Sequence, residues 1–332
     1  MRKLFTLGLL VIATHAWCQP VPGSMDVRWS EGAADCAVAR QDPLQVHVYE
    51  PQTFILRQNL CADFEANFLY LLIGSDKALL IDTGAVADPK RMPLAEAVLK
   101  LLPGEGQAKM PLLVVHSHGH GDHLAGDPQF APLPSVQIVP AELEKVRAFF
   151  GFTQWPNGVA HLDLGGRSVQ VIPAPGHHPA HLVFYDDRTA LLFSGDFLLP
   201  GRLVIRDEAQ YRQSAVRIRD FLKARPVSHI LGGHVELDAA GQAYPMGSQY
   251  HPDERALELA REDLLALPAA LENFNGFYAQ HANFILSNPI HNLLALAFAA
   301  VAVLILIVWG VRRLLRRRRS ATRAGAEVCR SS

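Results

Sequence analysis

Four histidines and one aspartate crowd into eight residues, His116 to His123, within the stretch LLVVHSHGHGDHLAG (112–126). Inside it His118, His120, Asp122 and His123 form the pattern His-x-His-x-Asp-His. Nitrogen and carboxylate donors at this density suit a divalent metal, zinc above all. Neutral imidazoles and an ionised carboxylate donate at neutral pH with little protonation cost. Side chains two apart in an extended segment point the same way, so His118, His120 and Asp122 are expected to converge, with His123 turned toward a second ion.

Four more polar signatures close apolar runs elsewhere. Asp82 follows ALLI, His177 follows SVQVIPAPG, Asp196 follows ALLFSG and His234 follows HILGG. Strands that end at one sheet edge deliver such residues from distant parts of the chain to one place, and glycine lets the backbone turn there. His116 offers an alternative register for the first motif, but that register requires aspartate at position 120, which is His120. It is therefore expected at a strand end, as a structural residue. His178 and His181 beside His177 are read as supporting rather than reacting groups.

The elements that must carry these residues are legible from periodicity. Strands are predicted at 45–49, 53–56, 67–73, 78–81, 112–115, 135–139, 168–172, 182–185, 190–193 and 229–231. Helical spacing predicts helices over 92–102, 141–150, 208–224 and 253–267, and a helical or irregular approach over 268–292. Interleaved strands and helices predict an α/β body over residues 30–285, with helices packed on sheets.

The two ends of the chain differ from this body. Of the net charge of −1, residues 312–332 hold +7 and residues 1–18 hold +2, which leaves −10 on the middle. An acidic body argues against nucleic-acid binding. Residues 1–18 have the basic start, short apolar core and small residues of a signal peptide, with cleavage after Ala16 or Cys18. Residues 293–311 are uncharged and long enough to span a bilayer, and Arg312, Arg313 and Arg316 to Arg319 follow at once. Arginines favour the cytoplasmic flank, so 312–332 is expected as a basic cytoplasmic tail, with the body in the periplasm of a bacterial inner membrane. Cys36 and Cys61 are then the two cysteines of the exported body, a candidate disulfide.

With all five motifs in order over about Leu56 to His234, the sequence resembles the metallo-β-lactamase superfamily, nearer to its glyoxalase II-like members than to true β-lactamases. The resemblance implies a four-layer αββα sandwich with two metals at one edge of its sheets. It implies that His118, His120 and His177 hold one ion, that Asp122, His123 and His234 hold the other, and that Asp196 bridges them. Asp82 would orient a ligand histidine. The expected cofactor is two zinc ions per chain, with iron or manganese as alternatives. The activity implied is hydrolysis of an ester, thioester, lactone or similar bond in a small-molecule substrate, with Asp122 holding the attacking water and accepting its proton. Family members that are mononuclear iron persulfide dioxygenases share the first motif and give the alternative reading. A β-lactamase is disfavoured, because those members usually carry Cys or Ser where Asp196 stands. Glyoxalase II carries a basic C-terminal helical domain, which the residues between His234 and the apolar run do not reproduce. The loops 197–206 and 241–250, with Tyr244 and Tyr250, are expected to set specificity.

Overall fold

The computed structural model describes residues 19–105 and 109–328, the side chains of 316–328 excepted. The expected signal peptide lies outside the described residues.

The first half of the body builds a six-stranded sheet from β1 (Leu44–Glu50), β2 (Thr53–Gln58), β3 (Phe68–Ile73), β4 (Ala78–Ile81), β5 (Leu112–Val115) and β6 (Val136–Ile138), in that spatial order. Strands β1 to β4 are an antiparallel meander, and β4, β5 and β6 run parallel. Helix α1 (Leu94–Leu101) makes the crossover from β4 to β5, and the single turns α2 (Gly121–Leu124) and α3 (Asp127–Phe130) follow β5.

Helix α4 (Leu143–Phe150) leads into the second sheet, built from β7 (Ala160–Asp163), β8 (Ser168–Pro173), β9 (Leu182–Asp186) and β10 (Leu191–Gly195). Strand β11 (Arg202–Val204) leaves that sheet, and α5 (Glu208–Leu222) returns the chain to β12 (His229–Gly232), parallel to β10. Strand β13 (Glu258–Leu259) closes the edge, giving the order β13-β12-β10-β9-β8-β7. After α6 (Arg261–Glu272), the short strands β14 (Tyr278–Gln280) and β15 (Ile285–Ser287) join β11 in a third sheet. Helix α7 (Pro289–Val328) follows directly, and its stretch Pro289–Leu315 is apolar and long enough to be a candidate membrane span.

Alternation along each strand sorts the side chains into layers. Leu113 and Val115 of β5 face Phe184, Leu191, Phe193 and Leu231 of the other sheet, in the central core. Leu112 and Val114 point the opposite way, onto Leu94 and Val98 of α1. On the far side, Ile172, Val183 and Ile230 pack against Ile218 of α5 and Leu264 and Leu267 of α6. Both sheets are therefore apolar on both faces, which is why their strands read as near-continuous apolar runs. The four layers are the expected αββα sandwich. Where β3 turns into β4, the buried Arg167 clamps the sheets together: it donates to both oxygens of Asp186, to Thr53 Oγ1 and to the carbonyls of Gln52 and Ile73.

Two expectations fail in the C-terminal third. The helix predicted over 253–267 is instead α6, beginning at Arg261 and running through Pro268 to Glu272. Asp263 fixes that start: its Oδ2 accepts the Ala260 backbone N–H at 2.9 Å. The preceding Glu258–Leu259 is drawn into β13 by pairing with β12. Within 268–292 lie the strands β14 and β15, three residues each and too short to show alternation. Cys36 and Cys61 are joined in a disulfide with Cα atoms 5.2 Å apart.

Candidate metal centre

All five polar signatures stand at the same edge of the two sheets, because each strand that precedes them runs toward that edge. Asp82 ends β4 in the left-handed region, at φ +66°, a conformation aspartate tolerates better than most residues. Its Oδ1 accepts the Ser117 N–H at 2.7 Å, and its Oδ2 accepts from Ser117 Oγ at 2.8 Å and from His123 Nδ1 at 2.9 Å. The loop after β5 is thereby tied to the end of β4.

Alternation in that loop stops at Gly121, where α2 begins. His118 and His120 converge as expected, with Nε2 and Nδ1 2.7 Å apart, and His177 Nε2 lies 3.0 Å from the same His120 nitrogen. Asp122 does not join them, because the helical turn rotates it toward His123 and His234. Its Oδ2 stands 3.1 Å from His123 Nε2 and 3.3 Å from His234 Nε2. Two groups result: His118, His120, His177 and Asp196, and Asp122, His123 and His234.

Asp196 stands between the groups. Its Oδ2 lies 3.7 Å from His118 Nε2 and 3.5 Å from His177 Nε2, and its Oδ1 lies 3.4 Å from both His123 Nε2 and His234 Nε2. Gly233 makes room for this: a Cβ there would sit 2.7 Å from Asp196 Oδ1 and 3.0 Å from the His123 ring.

The residues 62–269 match the model of the metallo-beta-lactamase superfamily, most of the body and every one of these motifs after Asp82's strand begins. This chain belongs to the metallo-beta-lactamase superfamily. Among its superfamily relatives, the acyl-coenzyme A thioesterase MBLAC2 of Gallus gallus is 25% identical over 214 residues, 55% of this chain and 77% of that protein. The hydroxyacylglutathione hydrolase of Rhodobacter capsulatus is 31% identical over 165 residues, 48% of this chain. The matched stretch spans only 60% of that hydrolase's length. Among solved structures, a metallo-beta-lactamase from Pontibacter korlensis superposes with a TM-score of 0.48 at 18% identity, covering 70% of this chain and all of its own.

The superfamily site fits a pair of divalent ions on its own chemistry. Three imidazoles are locked with Nδ1–H pointing outward. His177 donates to the Val204 carbonyl at 3.0 Å, His234 to the Glu65 carbonyl at 2.7 Å, and His123 to Asp82. A carbonyl only accepts, so the tautomer is fixed and Nε2 is left facing inward, the arrangement that supports metal-binding histidines. Burial, followed by neighbouring histidines, pushes His118 well down, and burial holds His177 down at about 4. Both are neutral donors at pH 7. In the second group burial opposes a charged imidazole, but Asp196 and Asp122 outweigh it and push His234 up to about 10. The same histidines hold the Asp122 carboxyl far below its usual range, against burial. The group demands positive charge, which a divalent ion supplies and protons otherwise provide. Asp196 Oδ1 and His120 Nε2 are buried with no hydrogen-bond partner.

The remaining histidines sort by contact. His116 is bonded to Asp127 at 2.9 Å and to the Val139 carbonyl at 3.2 Å, a structural role. His181 is fully buried and stacks on the His118 ring at 5.0 Å, and His178 abuts His120 at 5.2 Å. Tyr244 stacks on His251 at 4.0 Å and lines a small cleft beside His234 with Glu65 and Glu236. Sequence reasoning missed Asn67, which is buried with Nδ2 3.4 Å from both Asp122 Oδ2 and His234 Nε2. Nothing marks it in the sequence, since it merely opens the apolar run of β3. Arg206, which ends the loop 197–206 expected to set specificity, is exposed and makes no side-chain hydrogen bond or ion pair among the described residues. The Arg206 charge is felt at His120 and His178, second to burial at the first and third at the other.

Proposed function

We propose that this protein is a membrane-tethered binuclear zinc hydrolase of acyl thioesters and related esters. The observation that carries the reading is the shared carboxylate, Asp196, whose two oxygens face two separate donor groups. His118, His120 and His177 would hold one zinc, Asp122, His123 and His234 the other, and Asp196 both. A bound zinc pair supplies a Lewis acid for the acyl carbonyl and a water acidified to a pKa of about 7.

The chain's own residues do the rest. Asp122, between His123 and His234, is positioned to orient the attacking water and take its proton. Asn67 Nδ2 steadies the Asp122 carboxylate. Asp82 fixes the His123 ring through Nδ1, and the Val204 carbonyl does the same for His177. No serine or cysteine nucleophile is required. The complete second donor group disfavours the mononuclear iron dioxygenase. Aspartate at 196 disfavours β-lactam hydrolysis. Thioester cleavage is favoured because the relatives named above are a thioesterase and a hydroxyacylglutathione hydrolase.

The candidate span with arginines at its far end supports a single-pass protein with the C-terminus in the cytoplasm and the metal centre in the periplasm. The Cys36–Cys61 disulfide agrees with an oxidising compartment. The test is elemental analysis of the full chain together with a panel of acyl thioesters, lactones and β-lactams. Two zinc per chain with thioester turnover is expected. One iron per chain with no hydrolysis would overturn the reading.

A further inference from the structure

A second cavity lies away from the metals, at the root of α7. It is an open groove of about 660 Å³. Phe274 and Phe277 of the body wall one side, Leu294, Ala295 and Phe298 of α7 the other, and Glu208 of α5 closes an end. That volume lies within the usual range for small-molecule pockets, roughly 300–1,000 Å³. Its lining is mainly apolar, yet Phe277 is 45% exposed and Phe298 is 74% exposed. Such surface is costly in water but not at the boundary of a bilayer.

The position of this groove is fixed relative to the candidate metal centre. Asn288 joins β15 to α7: its N–H donates to the Phe277 carbonyl at 3.0 Å, and its Oδ1 accepts the N–H groups of Ile290 and His291 at 3.1 Å. Asn292 Nδ2 donates to the same Phe277 carbonyl at 3.1 Å, and His291 Nδ1 donates to the Gly276 carbonyl at 2.8 Å. Strand β15 is paired with β11, and β11 presents the Val204 carbonyl to His177. The apolar helix is thus connected through one sheet to a metal-binding histidine, with no flexible linker between. From Val204 at the metal centre to Glu208 at the groove is at most about 13 Å of backbone at a rise of roughly 3.3 Å per residue. The partnerless Arg206 stands midway along that segment.

We propose that the groove at the root of α7 is an acyl-chain site, which takes the hydrocarbon tail of an amphiphilic substrate drawn from the bilayer while its ester or thioester group reaches the metal centre across Arg206. The proposal rests on the hydrolase and membrane-span readings above. It names the substrate class: a fatty-acyl compound with a polar or anionic head, where Arg206 offers the head or the released carboxylate a fixed fork of donors. The water attacks the acyl carbonyl, the carbon–sulfur or carbon–oxygen bond breaks, and the fatty acid and the thiol or alcohol leave.

The test uses the full chain, zinc-loaded, in phosphatidylcholine nanodiscs. Butanoyl and dodecanoyl thioesters of N-acetylcysteamine are compared on the wild type and on Ala295→Trp, which fills the groove from the lipid side. Each buried methylene is worth roughly fourfold in binding. Loss of the groove should therefore lower kcat/KM for the dodecanoyl ester at least ~10-fold and leave the butanoyl ester unchanged. Comparing at fixed chain length cancels partitioning into the bilayer. An unchanged chain-length profile in Ala295→Trp, with turnover intact, overturns the acyl site and leaves the hydrolase reading standing. Should no thioester be turned over, the hydrolase reading fails instead, and labelling still decides the groove. Dodecanoic acid with a terminal diazirine should label Phe274 to Phe277 in the wild type but not in Ala295→Trp. Absence of that label, or a label from diazirine phospholipid that excess dodecanoate does not displace, would mean an empty groove or a resident bilayer lipid and overturns the proposal.

Discussion

Asp82 holds His123 in place: Oδ2 of the one lies 2.9 Å from Nδ1 of the other, and both side chains are buried. The carboxylate is carried on a backbone in the left-handed region, at φ +66°, and is further fixed by two bonds from Ser117. A group outside the donor set therefore sets the angle at which His123 Nε2 enters it. Asp82→Asn keeps the shape but presents an amide to the ring and removes the charge. Supporting partners of this kind are typically worth 10–100-fold in metal affinity. We expect zinc affinity at the Asp122–His123–His234 group to fall by about that factor while the other group is little changed. Zinc titration by calorimetry should show one step weakened and one retained. Equal weakening of both would mean that Asp82 supports the loop as a whole.

In the proposed mechanism Asp122 both binds an ion and takes a proton. Asp122→Ala removes a donor from the second group and leaves His123 and His234 facing each other without it. Turnover should drop by at least ~10³-fold, the usual scale for losing a proton acceptor together with metal-site geometry. His118, His120 and His177 should still bind close to one zinc per chain. Single-turnover kinetics with elemental analysis distinguishes the outcomes. Full activity with two ions would remove Asp122 from the mechanism.

The body and the site were legible to different depths. Strands β3, β4, β5, β8, β9, β10 and β12 are buried on both faces, so their apolar runs stand out with no need for alternation. The polar signatures are visible because each follows such a run directly. What the sequence did not disclose depends on contacts between distant segments. The rotation of Asp122 away from His118 and His120 follows from one helical turn of four residues, α2, too short for periodicity. Asn67 and Arg167 carry no pattern, because their roles come from where other strands bring Asp122 and Asp186. The strands β11, β14 and β15 have three residues each, and only their mutual pairing makes them a sheet.

Titration of the site should limit the ion-free protein from both sides of neutrality. Burial pushes His177 down to about 4, below the ordinary value near 6.5 for an unfolded chain. A depressed histidine favours the folded state while neutral, so its contribution is complete above about 6.5 and fades as pH falls through about 4. His234 behaves oppositely. Burial resists its charge, but Asp196 and Asp122 raise it to about 10. Its contribution is complete below about 6.5 and is lost as pH rises through about 10. Urea midpoints of chelator-treated protein should therefore fall toward pH 4 and toward pH 10. His177→Gln should flatten the acid side only, and a variant that keeps the full acid slope would assign that slope to other groups. A zinc ion that displaces the proton on His234 should bind up to ~10-fold more tightly per pH unit between 6 and 9.

Arg167 tests the sandwich rather than the site. Arg167 is 3% exposed, and its guanidinium ties Asp186 of the second sheet to Thr53, Gln52 and Ile73 of the first, at the end of the sheets away from the candidate metal centre. Arg167→Met keeps much of the volume but strands the Asp186 carboxylate, which retains only the N–H and hydroxyl of Thr189. Removing one partner of a buried pair costs about 3–5 kcal/mol, mostly through the charge left behind. The double variant Arg167→Met with Asp186→Leu should recover part of that loss, since the Asp186 charge is gone while the buried Glu50, 3.8 Å from Arg167 in the wild type, keeps only Arg188 as a cationic partner. Denaturant unfolding of the two variants gives the comparison, and zinc content should stay near the wild-type value in whatever fraction remains folded. A single variant as unstable as the double would show that the clamp acts through its hydrogen bonds to the strand ends, not through the ion pair.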